Sequence, residues 1–142
     1  MCFLSLFKSA EQNTIDQLTA FHANLKQFDS PGEQNLAALF HEFSKVLGYL
    51  IGHRYIQQRK VTTIVVHDVM KYADKNKTKA SDYDARAILL AYPRLKKQFD
   101  IIKSLRIRQS LDRISQTFCR LSRTLYQAQK DSNLQGASNC SP

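Results

Sequence analysis

The sequence predicts an all-α protein, a single-domain helical bundle of about five helices with a long basic C-terminal helix. Its apolar residues recur at intervals of three and four along most of the chain, which places them on one face of a helix. Only four glycines and three prolines occur among 142 residues, whereas a turn-rich β architecture uses many of both. A chain of this length can bury a core without cross-links. We therefore expect one helical domain at 1–130 and a disordered tail at 131–142, where large apolar residues are nearly absent.

The first predicted helix covers residues 14–28, with Asn13 or Thr14 as its N-cap. Its apolar positions follow helical spacing: Ile15, Leu18, Phe21, Leu25 and Phe28. The helix is therefore expected to present one face to the core.

The second predicted helix has the clearest start signal in the chain, a capping box with a proline in the first turn, formed by Ser30, Pro31 and Glu33. A broad apolar stripe follows, so we expect a helix at 31–58 at the centre of the core. Gly48 and Gly52 lie four residues apart on one of its faces. Because neither has a side chain, the spacing predicts a close crossing with another helix.

The sequence of residues 61–75 is compatible with two secondary structures, a strand and a helix. The β-branched start at 61–66 favours a strand, whereas Thr63 as a cap and the apolar spacing that follows it favour a helix. A strand would have only the apolar run at 2–7 as a partner, and an isolated two-stranded ribbon is marginally stable. We therefore expect a helix.

The C-terminal half begins with a basic linker at 75–81, after which Ser81 starts a helix that Pro93 is expected to stop or kink near Tyr92. From Arg94 a helical pattern runs to about residue 130, and it contains a shift of phase. Leu95, Phe99 and Ile102 lie on one side of the pattern. A seam rotated by about 120° follows, made by Ile107, Leu111, Ile114, Phe118, Leu121, Leu125 and Ala128. Either the helix breaks near residues 103–106, or one long helix presents two faces to two neighbours.

Charge is distributed unevenly along the chain. Residues 1–70 hold six basic and six acidic side chains, whereas residues 71–130 hold fifteen basic and five acidic ones, and the chain as a whole has a net charge of +9. Such asymmetry is typical of proteins that meet a polyanion, an acidic protein surface or an anionic membrane. A basic face that only keeps the protein in solution is the alternative.

An arginine row carries much of this charge. Arg106, Arg113 and Arg120 are seven residues apart and share one helix face, with Arg123 beside them. Together with three lysines they form the predicted partner- or phosphate-binding set: Arg106, Arg113, Arg120, Arg123, Lys96, Lys97 and Lys103. The positions that flank the apolar seam are mostly serine and threonine, so the salt bridges that select a coiled-coil partner are missing. This favours packing within a bundle, with a homodimer through the seam as the alternative.

Neither a catalytic site nor a metal or cofactor site is predicted. Three widely spaced cysteines fit no disulfide framework and no CxxC motif, and they favour a reducing, cytoplasmic setting. No two of the four histidines are three or four residues apart, and His67 and Asp68 are expected to diverge because they are adjacent. Cys119 has basic neighbours but no evident base, so we interpret it as a structural thiol.

These patterns predict a small non-enzymatic regulatory or adaptor protein that binds a partner protein through a helical face, the partner contributing an acidic surface or an amphipathic helix. The alternative is a nucleic-acid-binding accessory factor that contacts DNA or RNA phosphates through the arginine row. A third hypothesis is attachment to an anionic membrane surface, with the apolar run at 2–7 as a shallow wedge. No apolar run reaches the length of a membrane span, so we do not expect an integral membrane protein.

Overall fold

The computed structural model describes residues 9–30, 33–76 and 86–140. Over these ranges the chain forms a single helical domain without strands, which confirms the predicted fold class. The five helices are α1 (Ala10–Leu25), α2 (Glu33–Gly52), α3 (Gln58–Asn76), α4 (Arg86–Asp100) and α5 (Leu105–Cys140). One 3₁₀ turn, Lys26–Phe28, follows α1.

Helix α5 lies at the centre of the bundle, since it packs against α1, α2 and α4, whereas α3 packs mainly against α4. The sequence instead predicts α2 as the central helix. Phe43 of α2 does reach the core: its ring stacks on Phe118 of α5 with centroids 4.1 Å apart, and it meets Phe99 of α4 edge-on at 6.4 Å. The longer α5 has more neighbours because its apolar seam continues for more turns than the stripe of α2.

The apolar seam of α5 is buried within its own chain. Six of its seven members are at most 1% exposed: Ile107, Leu111, Ile114, Phe118, Leu121 and Leu125. The predicted packing within a bundle is therefore what the structure shows, and the seam is not left open for a second copy. A dimer through this seam would require the bundle to open.

The phase shift marks a break between α4 and α5 at residues 101–104, the first of the two alternatives. Ser104 caps α5 there, since its Oγ accepts a hydrogen bond from the backbone N–H of Ile107 at 3.3 Å. The same hydroxyl donates to Oε1 of Glu11 at 2.6 Å. The cap thus ties the first turn of α5 to the first turn of α1.

Pro93 lies inside α4, so of the two predicted outcomes the stop is wrong, and the kink stays a prediction. A proline in a helix interior removes one backbone hydrogen bond at a cost of about 3 kcal/mol. Ala91, Leu95 and Phe99 are buried on both sides of it. Their burial offsets that cost, and the apolar face of α4 continues past the proline.

Two helices begin earlier than predicted. Helix α1 is capped by Ser9, whose Oγ accepts a hydrogen bond from the N–H of Gln12 at 3.1 Å. Thr14, a predicted cap, is instead buried inside the helix and donates to the carbonyl oxygen of Ala10 at 2.9 Å. Helix α3 begins at Gln58, so residues 61–66 are helical and the strand alternative is wrong. The run at 2–7 lies outside the described residues.

Helix α2 ends at Gly52, before the predicted end at residue 58. Its C-terminus is closed by two hydrogen bonds, from Tyr55 N–H to Leu50 O at 2.9 Å and from Arg54 N–H to Ile51 O at 3.0 Å. This is the Schellman pattern, and Arg54 holds its left-handed position with φ 61°. The helix therefore ends six residues earlier than predicted.

The close helix crossing predicted at Gly48 and Gly52 is wrong. A Cβ atom added at either glycine meets nothing within 4 Å. The face that carries both glycines points away from the neighbouring helices.

Helix α5 continues to Cys140, whereas the sequence predicts a disordered tail from residue 131. Gln127 Nε2 donates to Asp131 Oδ1 at 2.8 Å across the predicted boundary. Adding residues to an existing helix is far easier than nucleating one, so the backbone extends without an apolar face. The solution behaviour of residues 131–142 stays a prediction.

Two predicted features fall partly or wholly outside the described residues. The first is the linker at 75–81 with its Ser81 cap, of which only residues 75–76, at the end of α3, are described. The capping box at the start of α2 is the other, because residues 31–32 are not described.

Candidate functional site

The seven predicted binding residues separate into three places. Arg113, Arg120 and Arg123 lie on the exposed face of α5, and Lys96 of α4 lies on the same side near Cys119. Lys97 faces a cleft between α3 and α4. Lys103 and Arg106 lie at the end of the bundle where α1 and α5 begin, and Arg106 is there the first of a line of arginines that continues along α5 with Arg113 and Arg120. The sequence predicts these seven residues as one group, whereas the fold distributes them over three parts of the surface.

The arginine row is defined as Arg106, Arg113 and Arg120, all three exposed. The helical rise of 1.5 Å per residue separates neighbours by about 10 Å and extends the row over about 21 Å. Nη2 of Arg106 donates to Oε1 of Gln12 at 2.8 Å. Neither Arg113 nor Arg120 takes part in any ion pair within the described part of the chain. Their charge is therefore directed to solvent.

A thiol and a phenol lie half-buried between α4 and α5. Burial raises the pKa of Tyr92 to about 12, although a hydrogen bond with Ser115 acts in the opposite direction. Burial also raises the pKa of Cys119, and this outweighs the lowering by Tyr92, Arg123 and Lys96. At neutral pH both groups are protonated. The Cys119 thiol is therefore a poor nucleophile there.

A basic cleft lies between α3 and α4, with a volume of ≈ 560 Å³. It is lined by Gln57, Arg59, Lys60, Thr63, Ile64, Arg94, Lys97 and Gln98. Four of these eight side chains are cationic and none is acidic. We call the cationic four, Arg59, Lys60, Arg94 and Lys97, the basic cleft set.

Sequence reasoning missed three members of this set, Arg59, Lys60 and Arg94. A signal exists within α4, where Lys97 and Gln98 follow Arg94 by three and four residues, which places all three on one face. The antiparallel pairing of α3 with α4 is what makes the two basic faces meet. The sequence contains no local sign of that pairing.

Arg94 is held by a buried carboxylate next to the cleft. Its Nη1 lies 3.3 Å from Oδ1 of Asp68 and 3.3 Å from Nδ1 of His67. His67 Nδ1 is itself 3.3 Å from the same carboxylate oxygen, so the prediction that His67 and Asp68 diverge is wrong. The Asp68 side chain is only 8% exposed at this contact with α4, whereas that of His67 remains 63% exposed. The second oxygen of Asp68, Oδ2, is buried without a hydrogen-bond partner.

The end of the bundle carries a smaller hollow of ≈ 450 Å³ beside the α4–α5 break. Arg54 and Lys103 line it together with Glu11, so its charge is mixed. Two large apolar side chains are exposed at the break, Ile101 at 58% and Leu105 at 59%. The hollow lacks the single-sign charge of the basic cleft.

No protein-family model, curated protein or solved structure matches this chain. Its surfaces are therefore interpreted from their own chemistry.

Histidine and acidic side chains do not converge on a metal-binding geometry in the described residues, where no group of three or more His, Cys, Asp or Glu side chains could hold an ion. His22 instead contacts α5, with Nε2 2.9 Å from Oγ1 of Thr117. No described helix is long and apolar enough to cross a membrane.

The exposed chemistry is thus cationic, and guanidinium dominates it. A guanidinium group presents a planar fork of N–H donors that matches the two oxygens of a carboxylate or phosphate. Both the arginine row and the basic cleft set are suited to anions. They differ in shape, since the row is an extended convex face and the cleft is a concave site.

Proposed function

We propose that this protein is a small non-enzymatic regulatory or adaptor protein of the cytoplasm that binds the acidic surface of a partner protein through the arginine row. The observation that carries the proposal is the exposure of Arg113 and Arg120 without a carboxylate partner among the described residues. A partner carboxylate would not have to displace an internal one. Binding would therefore gain the full interaction with each guanidinium.

Burial of the apolar seam of α5 argues against one mode of partner binding, the docking of this helix in a hydrophobic groove. A helix that docks in a hydrophobic groove must offer its apolar face, and the apolar face of α5 is used by its own bundle. Only the polar circumference of α5 is available. An acidic surface therefore suits this protein better than an apolar groove, and charge complementarity would speed the encounter with it.

The second candidate function is contact with nucleic-acid phosphates. It is favoured by the length of the arginine row, about 21 Å, over which three like charges follow one line along the helix. A duplex carries one negative charge per about 1.7 Å of its axis, so a row of this length would meet many phosphates. Among the described residues, Tyr126 is the exposed aromatic nearest to the row by sequence, at 37% exposure, whereas Phe118 is buried in the core. Few aromatic side chains therefore accompany the arginines, which leaves this candidate second.

The experiment that tests the proposal compares two charge-reversal variants with equal change in net charge. Arg113→Glu with Arg120→Glu reverses the arginine row. Lys26→Glu with Lys71→Glu is the matched control, because both lysines are exposed and lie away from the arginine row, Lys26 in the 3₁₀ turn after α1 and Lys71 on α3. Cross-linked partners captured from the native host are identified with the unmodified protein and then measured as purified proteins against each variant.

We expect the row variant to bind the purified partner at least about tenfold more weakly and the control to bind it normally, because two charge-assisted contacts are lost only in the first. Equal affinity of both variants would reject the arginine row as the binding surface. The second candidate is measured in parallel with a duplex DNA and a duplex RNA. Salt-dependent affinity for duplex, lost in the row variant, would replace the adaptor proposal by the nucleic-acid one.

A further inference from the structure

We infer that the basic cleft between α3 and α4 is a binding site for a phosphate group. The cleft is a different surface from the arginine row, since its cations come from α3 and from α4, and only Lys97 belongs to the predicted binding set. It therefore gives the protein an anion-binding site that the proposed partner contact does not use.

The first support is an imbalance of charge. Four cations surround a hollow of ≈ 560 Å³ that no acidic side chain lines. Only Arg94 of the four has an ion-pair partner among the described residues, Asp68, which lies beside the lining. Three positive charges therefore remain close together without compensation. Like charges gathered in a concave site repel one another and concentrate counter-ions there.

The second support is preorganisation of the cleft. The ion pair with Asp68 fixes the direction of Arg94, so less side-chain freedom is lost when an anion binds. Arg59 and Lys60 occupy the first turn of α3, and their side chains are long enough to close over an anion from the opposite wall. A phosphate group has several oxygens and can accept from both walls at once.

The third support is a polar atom that lacks a partner. Oε1 of Gln98 is buried at the cleft and accepts no hydrogen bond. Buried acceptors of this kind are normally satisfied. A protonated phosphate oxygen would donate to it while the charged oxygens accept from Lys60 and Lys97. A carboxylate ligand has no such donor when it is ionised.

The surface next to the cleft is apolar. A second hollow of ≈ 630 Å³ shares Arg59 and Thr63 with the cleft and contains Val66. Val66 and Met70 are more than half exposed one turn apart on α3. A phosphate with an apolar substituent would find room for both parts. Two sources of phosphate fit this description, a soluble phosphate ester and a phospholipid headgroup.

The test measures binding of sodium pyrophosphate by calorimetry at constant ionic strength. Lys60→Gln with Lys97→Gln removes two cleft charges at exposed positions outside the hydrogen-bond network of Arg94. Lys26→Gln with Lys71→Gln is the control of equal net charge, and Arg113→Gln with Arg120→Gln reports on the arginine row. We expect saturable binding by the unmodified protein, a loss of at least about tenfold in the cleft variant, and little change in the other two.

A second arm uses vesicles of phosphatidylcholine with one-fifth phosphatidic acid. Vesicle binding that fails only in the cleft variant, without pyrophosphate binding, assigns the site to a lipid headgroup. Pyrophosphate binding with the same dependence assigns it to a soluble phosphate. Absence of both, or equal weakening in all three variants, would overturn the inference, because the attraction would then come from net charge alone.

The experiments distinguish failure of the phosphate-site inference from failure of the proposed partner binding. The cleft variant keeps the arginine row intact, and the row variant keeps the cleft intact. Far-ultraviolet circular dichroism of each variant shows whether it is folded before either binding measurement is interpreted.

Discussion

The guanidinium of Arg94 and the carboxylate of Asp68 join α4 to α3, with Nη1 3.3 Å from Oδ1. The Asp68 side chain is 8% exposed, whereas that of Arg94 is 45% exposed. A buried carboxylate is tolerated when a cation and hydrogen bonds accompany it. Arg94 therefore does two things, since it compensates Asp68 on one side and lines the basic cleft on the other.

Replacing Arg94 by Met should destabilise the protein by about 2 kcal/mol, because the apolar stem is kept but the buried Asp68 charge loses its partner. The half-exposed position of Arg94 keeps the effect below that of a fully buried pair. Urea unfolding measures it. Adding Asp68→Asn to the Met variant should recover part of the loss, since the uncompensated charge is then gone. An Arg94→Met protein as stable as the unmodified one would show that Asp68 does not depend on this ion pair.

Replacing Gly48 by Ala should stabilise the protein by about 1 kcal/mol, the difference in helix propensity between the two residues. Gly48 lies in the interior of α2 and an added Cβ meets no atom within 4 Å, so no repacking is needed. Thermal unfolding should show a midpoint higher by roughly 3 °C. Gly52→Ala, at the last residue of α2, is the matched control and should gain less. A lower midpoint for Gly48→Ala would mean that another surface packs against this face in solution.

Replacing Arg54 by Gly should also increase stability, in contrast to most losses of a large side chain. The left-handed conformation of Arg54, with φ 61°, costs a non-glycine residue about 1 kcal/mol or more. The greater freedom of glycine in the unfolded chain reduces the gain, so we expect a net increase of roughly 0.5 kcal/mol in the free energy of unfolding. Arg54→Ala keeps the strain and should show no increase. If Gly and Ala variants are equally stable, the strain is absent in solution.

The raised pKa of the Tyr92 phenol predicts that the protein loses stability at alkaline pH. Its pKa of about 12 in the folded protein exceeds the ordinary value of 10.0, so the folded state favours the neutral phenol. This contribution is present in full below pH 10 and is lost as the pH rises toward 12. Urea unfolding at a series of pH values should therefore show a decline above pH 10 that is smaller in Tyr92→Phe. An equal decline in both proteins would assign it to other groups.

The thiol of Cys119 gives an independent test of the same site. Because burial raises its pKa, a variant that retains only this cysteine, Cys2→Ser with Cys140→Ser, should react with a disulfide reagent at pH 8 more slowly than the unfolded chain does in urea. Adding Tyr92→Ala should speed the reaction, since that change opens access to the sulfur. Reaction as fast as in the unfolded chain would contradict a half-buried, protonated thiol.

Much of the helical structure is predictable from side-chain spacing. The seam from Ile107 to Leu125 is buried as its spacing indicates, and the shift of phase after Ile102 marks the break that separates α4 from α5. The predictions that are wrong concern mainly the ends of helices and residues with unusual backbone requirements. Pro93 is accommodated inside α4, and Arg54 replaces the glycine that usually ends a helix. At those positions local preference is outweighed by burial of the neighbouring residues.

The sequence by itself determined that this is a helical protein, which faces of its helices are apolar, and that its second half is basic. Those properties follow from the order of residues within each helix, because 3.6 residues per turn assigns every side chain to a face. Only the tertiary structure decided which basic side chains meet. Lys97 lies with Arg59 and Lys60, which are distant in sequence, rather than with Arg113 and Arg120. The pairing of α3 with α4 depends on how all five apolar faces are buried together, and no single segment specifies it.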